Sequence, residues 1–188
     1  MNFWPVDLWT LSLLEPRAAI LSEDEVERAN RFRLEEDRVR WTRSRSALRA
    51  ILSRYADAPP ESLRFIYGQH GKPALSPSAD LEFNLSHAGD WTMIAVSRSV
   101  PVGVDIERQR PKVDMAALLR RLGEIDLPDT DLDLYKAWAR REAKSKTVGG
   151  ALFDPPPPNI CAIDLIAPEG YAAALALAGW KPIVTYCG

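Results

Sequence analysis

Gly170-Tyr171-Ala172-Ala173-Ala174-Leu175-Ala176-Leu177-Ala178 decides how this chain folds. By propensity alone, such an alanine- and leucine-rich run is helix. In context it reads as a strand, because it echoes an earlier segment. Asp90-Trp91 opens a strand that is followed by Pro101-Val102-Gly103-Val104. Gly170-Tyr171 opens a segment followed at about the same interval by Pro182-Ile183-Val184. This weak internal repeat implies two similar α+β halves in a pseudo-two-fold arrangement, placed at 1–100 and 101–188.

The surrounding elements are read outward from there. Phe3 to Leu13, with Trp4, Val6, Leu8, Trp9 and Leu11, forms a first strand. Ser22 followed three residues later by Glu25 has the capping-box spacing and marks a helix start. A second helix runs from about Glu35 to Tyr55, where Trp41, Leu48, Ile51, Leu52 and Tyr55 recur at helical spacing. Pro59-Pro60 ends it. Leu63, Phe65 and Tyr67 alternate before a bend from Gly68 to Pro73, and Leu81, Phe83 and Leu85 alternate after it. Trp91–Val96 and Val102–Glu107 are two further strands. Met115–Leu122 is a helix, and Leu132 to about Val148 another, stopped by Gly149-Gly150. Pro155 to Pro158 cannot donate backbone hydrogen bonds and reads as a stiff exposed connector. The fold class is α+β, with antiparallel-type sheets packed against helices.

Bulk properties narrow the function classes. A chain of 188 residues with 46% hydrophobic content suits one compact unit or two tightly packed small halves. A net charge of −2 gives no global field toward nucleic acid or membrane, so any anion site comes from local clustering. Cys161 and Cys187 make no disulfide framework, which suits a reduced cytoplasmic protein. Met1 to Thr10 lacks the pattern of a signal peptide, and no apolar stretch approaches the roughly 18 to 20 residues of a membrane span.

Four constellations carry chemistry. In Val102-Gly103-Val104-Asp105-Ile106-Glu107, strand alternation puts Asp105 and Glu107 on one side, roughly 6 to 7 Å apart. Paired carboxylates on an apolar strand call for a cation such as magnesium, or for full solvation of that face; both readings stand. In Trp138-Ala139-Arg140-Arg141-Glu142-Ala143-Lys144-Ser145-Lys146, Trp138, Glu142 and Lys146 share a helix face. That is a third carboxylate beside an ammonium, or an exposed ion pair worth a few tenths of a kcal/mol. Ser86-His87, where a strand enters a turn, is poorly placed for a nucleophile–base pair. No Gly-x-Ser-x-Gly elbow surrounds the serine, and donation to a phosphate fits better. His70-Gly71-Lys72-Pro73 adds close backbone approach and a point charge. The arginines from Arg28 to Arg49 mostly coat a solvated helix face, with a few free to converge on an anion.

Taken together these stretches resemble the Sfp-type 4'-phosphopantetheinyl transferases. The matching residues, in order, are Arg28-x-x-x-Phe32 with Asp37-x-x-Arg40, then Gly71-Lys72-Pro73-x-Leu75 and Phe83-Asn84-Leu85-Ser86-His87. Val102 to Glu107 and Trp138-x-x-Arg141-Glu142-Ala143-x-x-Lys146 follow. The resemblance implies two α+β halves with coenzyme A in the cleft between them. It implies magnesium on Asp105, Glu107 and Glu142, and Lys146 at the phosphate under attack. Arg28, Lys72, Ser86 and His87 become phosphate contacts, with Gly71 beside the adenine. Asp105, Glu142 and Lys146 are then the catalytic set, with Glu142 the candidate base. The implied partner is an apo carrier protein of acyl, polyketide or peptidyl type, and the implied state is a cytoplasmic monomer.

Two departures stand out. Arg141 occupies a position where the family usually has lysine, and Arg108 to Leu134 is short and lacks the usual Phe-rich segment with its glutamate. The competing readings are a coenzyme A-binding homologue without turnover and, from another class, a nucleic-acid module built on the arginine helices. The complete carboxylate set favours the enzyme. The acidic balance and the lack of an aromatic-basic RNA motif disfavour the nucleic-acid module.

Overall fold

The structure, a computed structural model, describes residues 3–77, 80–110, 112–151, 154–155 and 157–187. In chain order the elements are β1 (Phe3–Ser12), α1 (Glu23–Ala29), α2 (Glu35–Ala56), β2 (Phe65–Tyr67), β3 (Pro73–Leu75), β4 (Leu81–Ala88) and β5 (Trp91–Arg98). They continue with β6 (Val102–Arg108), α3 (Met115–Arg121), α4 (Asp131–Thr147), β7 (Ile160–Asp164), β8 (Tyr171–Ala178) and β9 (Lys181–Cys187). The fold is mixed α+β, as the sequence implies. One sheet runs β4–β5–β1–β9, a second runs β6–β8–β7, and β2–β3 is a separate hairpin. All pairings are antiparallel except β9 on β1, which is parallel. Within the expected proline connector, Pro156 lies outside the described residues. Among the described residues, no helix is long and apolar enough to cross a membrane.

β8 is a strand despite its composition, and its two faces explain why. Ala173, Leu175 and Leu177 enter the core between the two large sheets, against Val6, Leu8, Met93, Val104 and Ile106. Ala174 and Ala176 turn the other way, onto Ala139 and Ala143 of α4. Burying Leu175 and Leu177 completely stabilises the strand by about 1.5–3 kcal/mol each, which outweighs helix preferences of a few tenths per residue. The small residues on the helix side let α4 lie close. At Gly103 the approach is extreme: a Cβ would sit 2.0 Å from the Ala143 carbonyl oxygen and 2.6 Å from the Thr147 nitrogen.

The outer face of the first sheet takes α2. Trp9, Phe83, Ile94 and Val96 pack on Ala47, Leu48, Ile51 and Leu52. Tyr55, on the same helix, donates to Asp7 Oδ2 at 2.7 Å. The start of α1 has its expected capping box, with the Ser22 N–H donating to Glu25 Oε2 at 3.0 Å.

The reading of the arginines as a solvated coat needs correcting. It holds for Arg31, whose side chain is 78% exposed, but Arg45 and Arg49 are buried. Both reach Glu25, itself 1% exposed: Arg49 Nε donates to Oε2 at 2.6 Å and Arg45 Nε donates to Oε1. Arg49 also donates to the Pro60 and Leu63 carbonyls, both at 2.9 Å. Burial alone would raise the pKa of Glu25. The bonds from Arg49, the Ser22 N–H and Arg45 offset that and hold it below the usual carboxylate value. The cluster fastens α1 to α2, and α1 carries Arg28.

Two outcomes follow. Gly103→Ala should lower the denaturant midpoint by an amount equivalent to at least about 1–3 kcal/mol, because β6 and α4 must separate. Gly68→Ala, whose added Cβ meets only an ordinary contact at 3.7 Å, is the matched control. Glu25→Gln leaves two buried guanidinium groups short of charge and should cost about 3–5 kcal/mol at neutral pH. A depressed carboxylate stabilises above its unfolded pKa and loses that contribution as pH falls through its folded pKa. The gap between wild type and Glu25→Gln should therefore narrow in acid-titrated melts.

Candidate active site

β6 presents its residues alternately. Val102, Val104 and Ile106 point into the core, while Gly103, Asp105 and Glu107 face α4. Asp105 is 2% exposed. Because Gly103 lets α4 settle on the strand, Glu142 and Lys146, one helical turn apart, come to the same place. The ammonium of Lys146 donates to Asp105 Oδ1 at 2.5 Å and to Ser86 Oγ at 2.9 Å. Ser86 in turn donates to Asp105 Oδ1 at 2.9 Å. β4 is fixed beside β6 by Asn84, whose Oδ1 accepts the Val104 N–H at 2.9 Å. Ser86 is held from behind, since Thr92 Oγ1 donates to its carbonyl at 3.0 Å.

Electrostatics set this group apart from a surface ion pair. Three carboxylates share one ammonium. Burial, then the charge of Asp105, pushes the pKa of Glu142 up to about 7, and Lys146 opposes that rise. Burial and Asp105 also raise Glu107, although Glu107 Oε1 accepts Trp138 Nε1–H at 3.1 Å. Asp105 Oδ2 and Glu142 Oε1 are buried without a hydrogen-bond partner. Buried polar atoms of that kind usually have a partner, and partnerless ones cluster at functional sites.

As a metal site the residues fit in kind. They are hard carboxylate oxygens, two of them partnerless and buried, which is what a small divalent cation prefers. The grouping is not closed, however. Among the described residues, no three His, Cys, Asp or Glu side chains are already gathered to hold a metal ion, and Lys146 supplies the countercharge on Asp105.

Beside the carboxylates lies a cavity of about 300 Å³. It brings together five of the sequence-derived contacts, Arg28, Gly71, Ser86, His87 and Lys146. His87 is exposed at the rim, yet its ring is crowded enough that burial, then the Lys146 charge, holds its pKa below the usual value. Trp41 and Arg45 also line the cavity and were not singled out from the sequence. They stand at i and i+4 of α2, so a helical face drawn through Trp41 would have included Arg45. The Arg28 guanidinium lies 5.7 Å from the Trp41 ring centroid.

Lys72 is the sequence-derived contact that the cavity does not include. Its ammonium donates instead to the Thr147 carbonyl at 2.8 Å and the Val102 carbonyl at 3.2 Å. It lines a larger cleft of about 830 Å³ on the other side of the β2–β3 hairpin. That cleft is floored by Leu75, Leu81 and Phe83 and reaches neither Ser86 nor Lys146, whereas the smaller cavity is lined by both of these partners of Asp105. In the short segment before α4, Glu124 Oε1 accepts from Arg141 Nη1 at 3.2 Å.

Known proteins match this chain as follows. A family model described as 4'-phosphopantetheinyl transferase, N-terminal, matches residues 9–99. The 4'-phosphopantetheinyl transferase HetI of Nostoc sp. is 33% identical over 213 residues, covering 94% of this chain and 90% of HetI. AcpT of Escherichia coli, also a 4'-phosphopantetheinyl transferase, is 40% identical over 125 residues, 62% of this chain and 60% of its own length. Sfp of Bacillus subtilis, likewise a 4'-phosphopantetheinyl transferase, is 28% identical over 145 residues, 73% of this chain and 64% of its own.

The charge crowding is directly measurable. Asp105→Asn removes a negative neighbour and frees the Lys146 charge, and both changes should bring Glu142 down from about 7 toward the ordinary carboxylate range. A carbon-13 NMR titration of the glutamate carboxyls checks this. An unmoved resonance would mean that burial alone sets its value.

Proposed function

This chain belongs to the 4'-phosphopantetheinyl transferase family, and on that premise we propose how its own residues serve the transfer. The 4'-phosphopantetheine arm of coenzyme A passes to a serine of an apo carrier protein, of acyl, polyketide or peptidyl type, with release of 3',5'-adenosine bisphosphate. One observation carries this reading. Lys146, Ser86 and Asp105 meet at a cavity rimmed by Arg28 and His87, with two partnerless carboxylate oxygens alongside. Arg28, Gly71 and His87 come from residues 1–100 and Lys146 from 101–188, which supports a coenzyme cleft between two halves.

The resemblance to the family suggests the roles, and the charge and position of each residue support them. His87 and Arg28 bind the phosphate of the ribose, and Ser86 and Lys146 donate to the pyrophosphate. Gly71, without a side chain, lets the adenine approach the hairpin. The carrier serine oxygen bonds to the phosphorus that bears the pantetheine arm. The bond from that phosphorus to the bridging oxygen breaks, and its electron pair leaves on the adenosine bisphosphate. Lys146 shifts from Asp105 to stabilise that developing charge. Glu142, poised near neutrality, takes the serine proton directly or through a water. Magnesium held by Asp105, Glu107 and Glu142 would supply further positive charge beside the pyrophosphate.

Intact mass spectrometry of an apo carrier incubated with the protein, coenzyme A and magnesium should show the mass of one added arm. Asp105→Ala should abolish the addition while leaving far-UV circular dichroism unchanged; retained turnover would sink the assignment. Coenzyme A binding without addition on any of several carriers would point to a non-catalytic homologue. The pH dependence of binding gives a second measurement. His87 is held low in the free protein and a phosphate would raise it, so binding takes up a proton. Affinity for 3',5'-adenosine bisphosphate should therefore increase as pH falls from about 8 to about 6 around the histidine range, and His87→Gln should flatten that slope.

A further inference from the structure

The β2–β3 hairpin forms a sheet of its own and bonds through side chains on both of its flanks. On one flank Arg45 Nη2 donates to Tyr67 Oη at 2.5 Å, and the same guanidinium lies 4.3 Å from the Phe65 ring centroid. On the other, Lys72 reaches across to the Thr147 and Val102 carbonyls, 75 and 30 residues away in sequence. Thr147 is the last residue of α4 and Val102 the first of β6. The last carbonyls of a helix have no intrahelical partner and carry partial negative charge, so an ammonium there is well placed. The Lys72 side chain is only 18% exposed, and the nearest carboxylate, Glu82, stands 3.9 Å away. Its stem packs on the turn that ends the helix, since a Cβ on Gly149 would lie 3.5 Å from Lys72 Cβ.

We propose that Lys72 is a positioning residue, a clasp that joins the end of α4 to the start of β6 from the hairpin tip. α4 carries Glu142 and Lys146, β6 carries Asp105 and Glu107, and the hairpin carries Gly71. One ammonium thus sets the relative depth of all three walls of the site. The proposal rests on the transferase reading for its kinetic consequences, and not for its geometry. It also separates Lys72 from the phosphate contacts: its hydrogen bonds go to protein carbonyls, and no coenzyme is needed to satisfy it.

The test starts with Lys72→Met, which keeps the stem and removes the donors. Turnover should fall by about tenfold while KM for coenzyme A and Kd for 3',5'-adenosine bisphosphate move by less than about threefold. Hydrogen exchange at the Gly149 and Gly150 amides, which close the end of α4 on Lys146 and Ser145, should accelerate. The rescue is covalent. Lys72→Cys with Gly149→Cys, in a Cys161→Ala, Cys187→Ala background, places two Cβ positions 3.5 Å apart, within the range of a disulfide; Gly149 has φ +64°, so Gly149→Cys alone is the control for backbone strain. Turnover should return to within about threefold of wild type when that bridge is closed and drop again on reduction. A tenfold loss of bisphosphate affinity in Lys72→Met with turnover kept would make the ammonium a coenzyme contact and overturn the clasp. So would a closed bridge no faster than the open one, or unchanged exchange at the end of α4. If wild type transfers nothing to any carrier, the transferase reading fails, and the exchange measurement still decides the clasp.

Discussion

The rest of the structure depends on how closely α4 lies on the second sheet. Gly103 and the alanines of β8 and α4 remove the side chains that would hold helix and strand apart. That single contact brings a helical ammonium onto a buried strand carboxylate. A larger residue at any of these positions would push Lys146 and Glu142 outward, and the cavity would lose its charged floor. Close packing here serves the site as well as the core, since Ala139 and Ala143 of α4 are buried against β8.

The crowded carboxylates show the other side of that arrangement. A core selected only for stability would not retain partnerless oxygens on Asp105 and Glu142, nor a glutamate held near neutrality. Glu25 shows how the same fold treats a carboxylate whose task is to hold elements together. Two guanidinium groups and a backbone N–H surround it, and its charge is fully answered. The contrast between the two environments, within one small chain, separates a carboxylate that holds structure together from those of the candidate site.

Much of this was legible in residue order because it rests on local periodicity. The capping spacing of Ser22 and Glu25 set the start of α1. The alternation of Val102 to Glu107 put Asp105 and Glu107 on one side, and the i, i+4 spacing of Glu142 and Lys146 put them on one face. β8 was recoverable only through its likeness to an earlier segment, because propensity opposes it. What stayed hidden were pairings set by distant parts of the chain. The buried partner of Arg45 and Arg49, Glu25, sits on a different helix, so their spacing in α2 alone does not announce the pairing. Lys72 read as a phosphate contact because it offers a point charge beside a glycine that permits close backbone approach; its carbonyl partners lie 30 and 75 residues further on. The link of Glu124 to Arg141 likewise appears only once α4 is in place.

The parallel pairing of β9 with β1 has a consequence for how the molecule is made. Phe3 lies opposite Lys181 and Trp9 opposite Cys187, so β1 is completed by a strand made 178 residues after it. Until then β1 has only β5 on one side, and its other edge presents unpaired backbone groups to whatever is nearby. The sheet is closed by a contact of very long sequence separation, the kind that forms slowly. Between the synthesis of β1 and that of β9 the nascent chain therefore carries an open strand edge, which β9 seals.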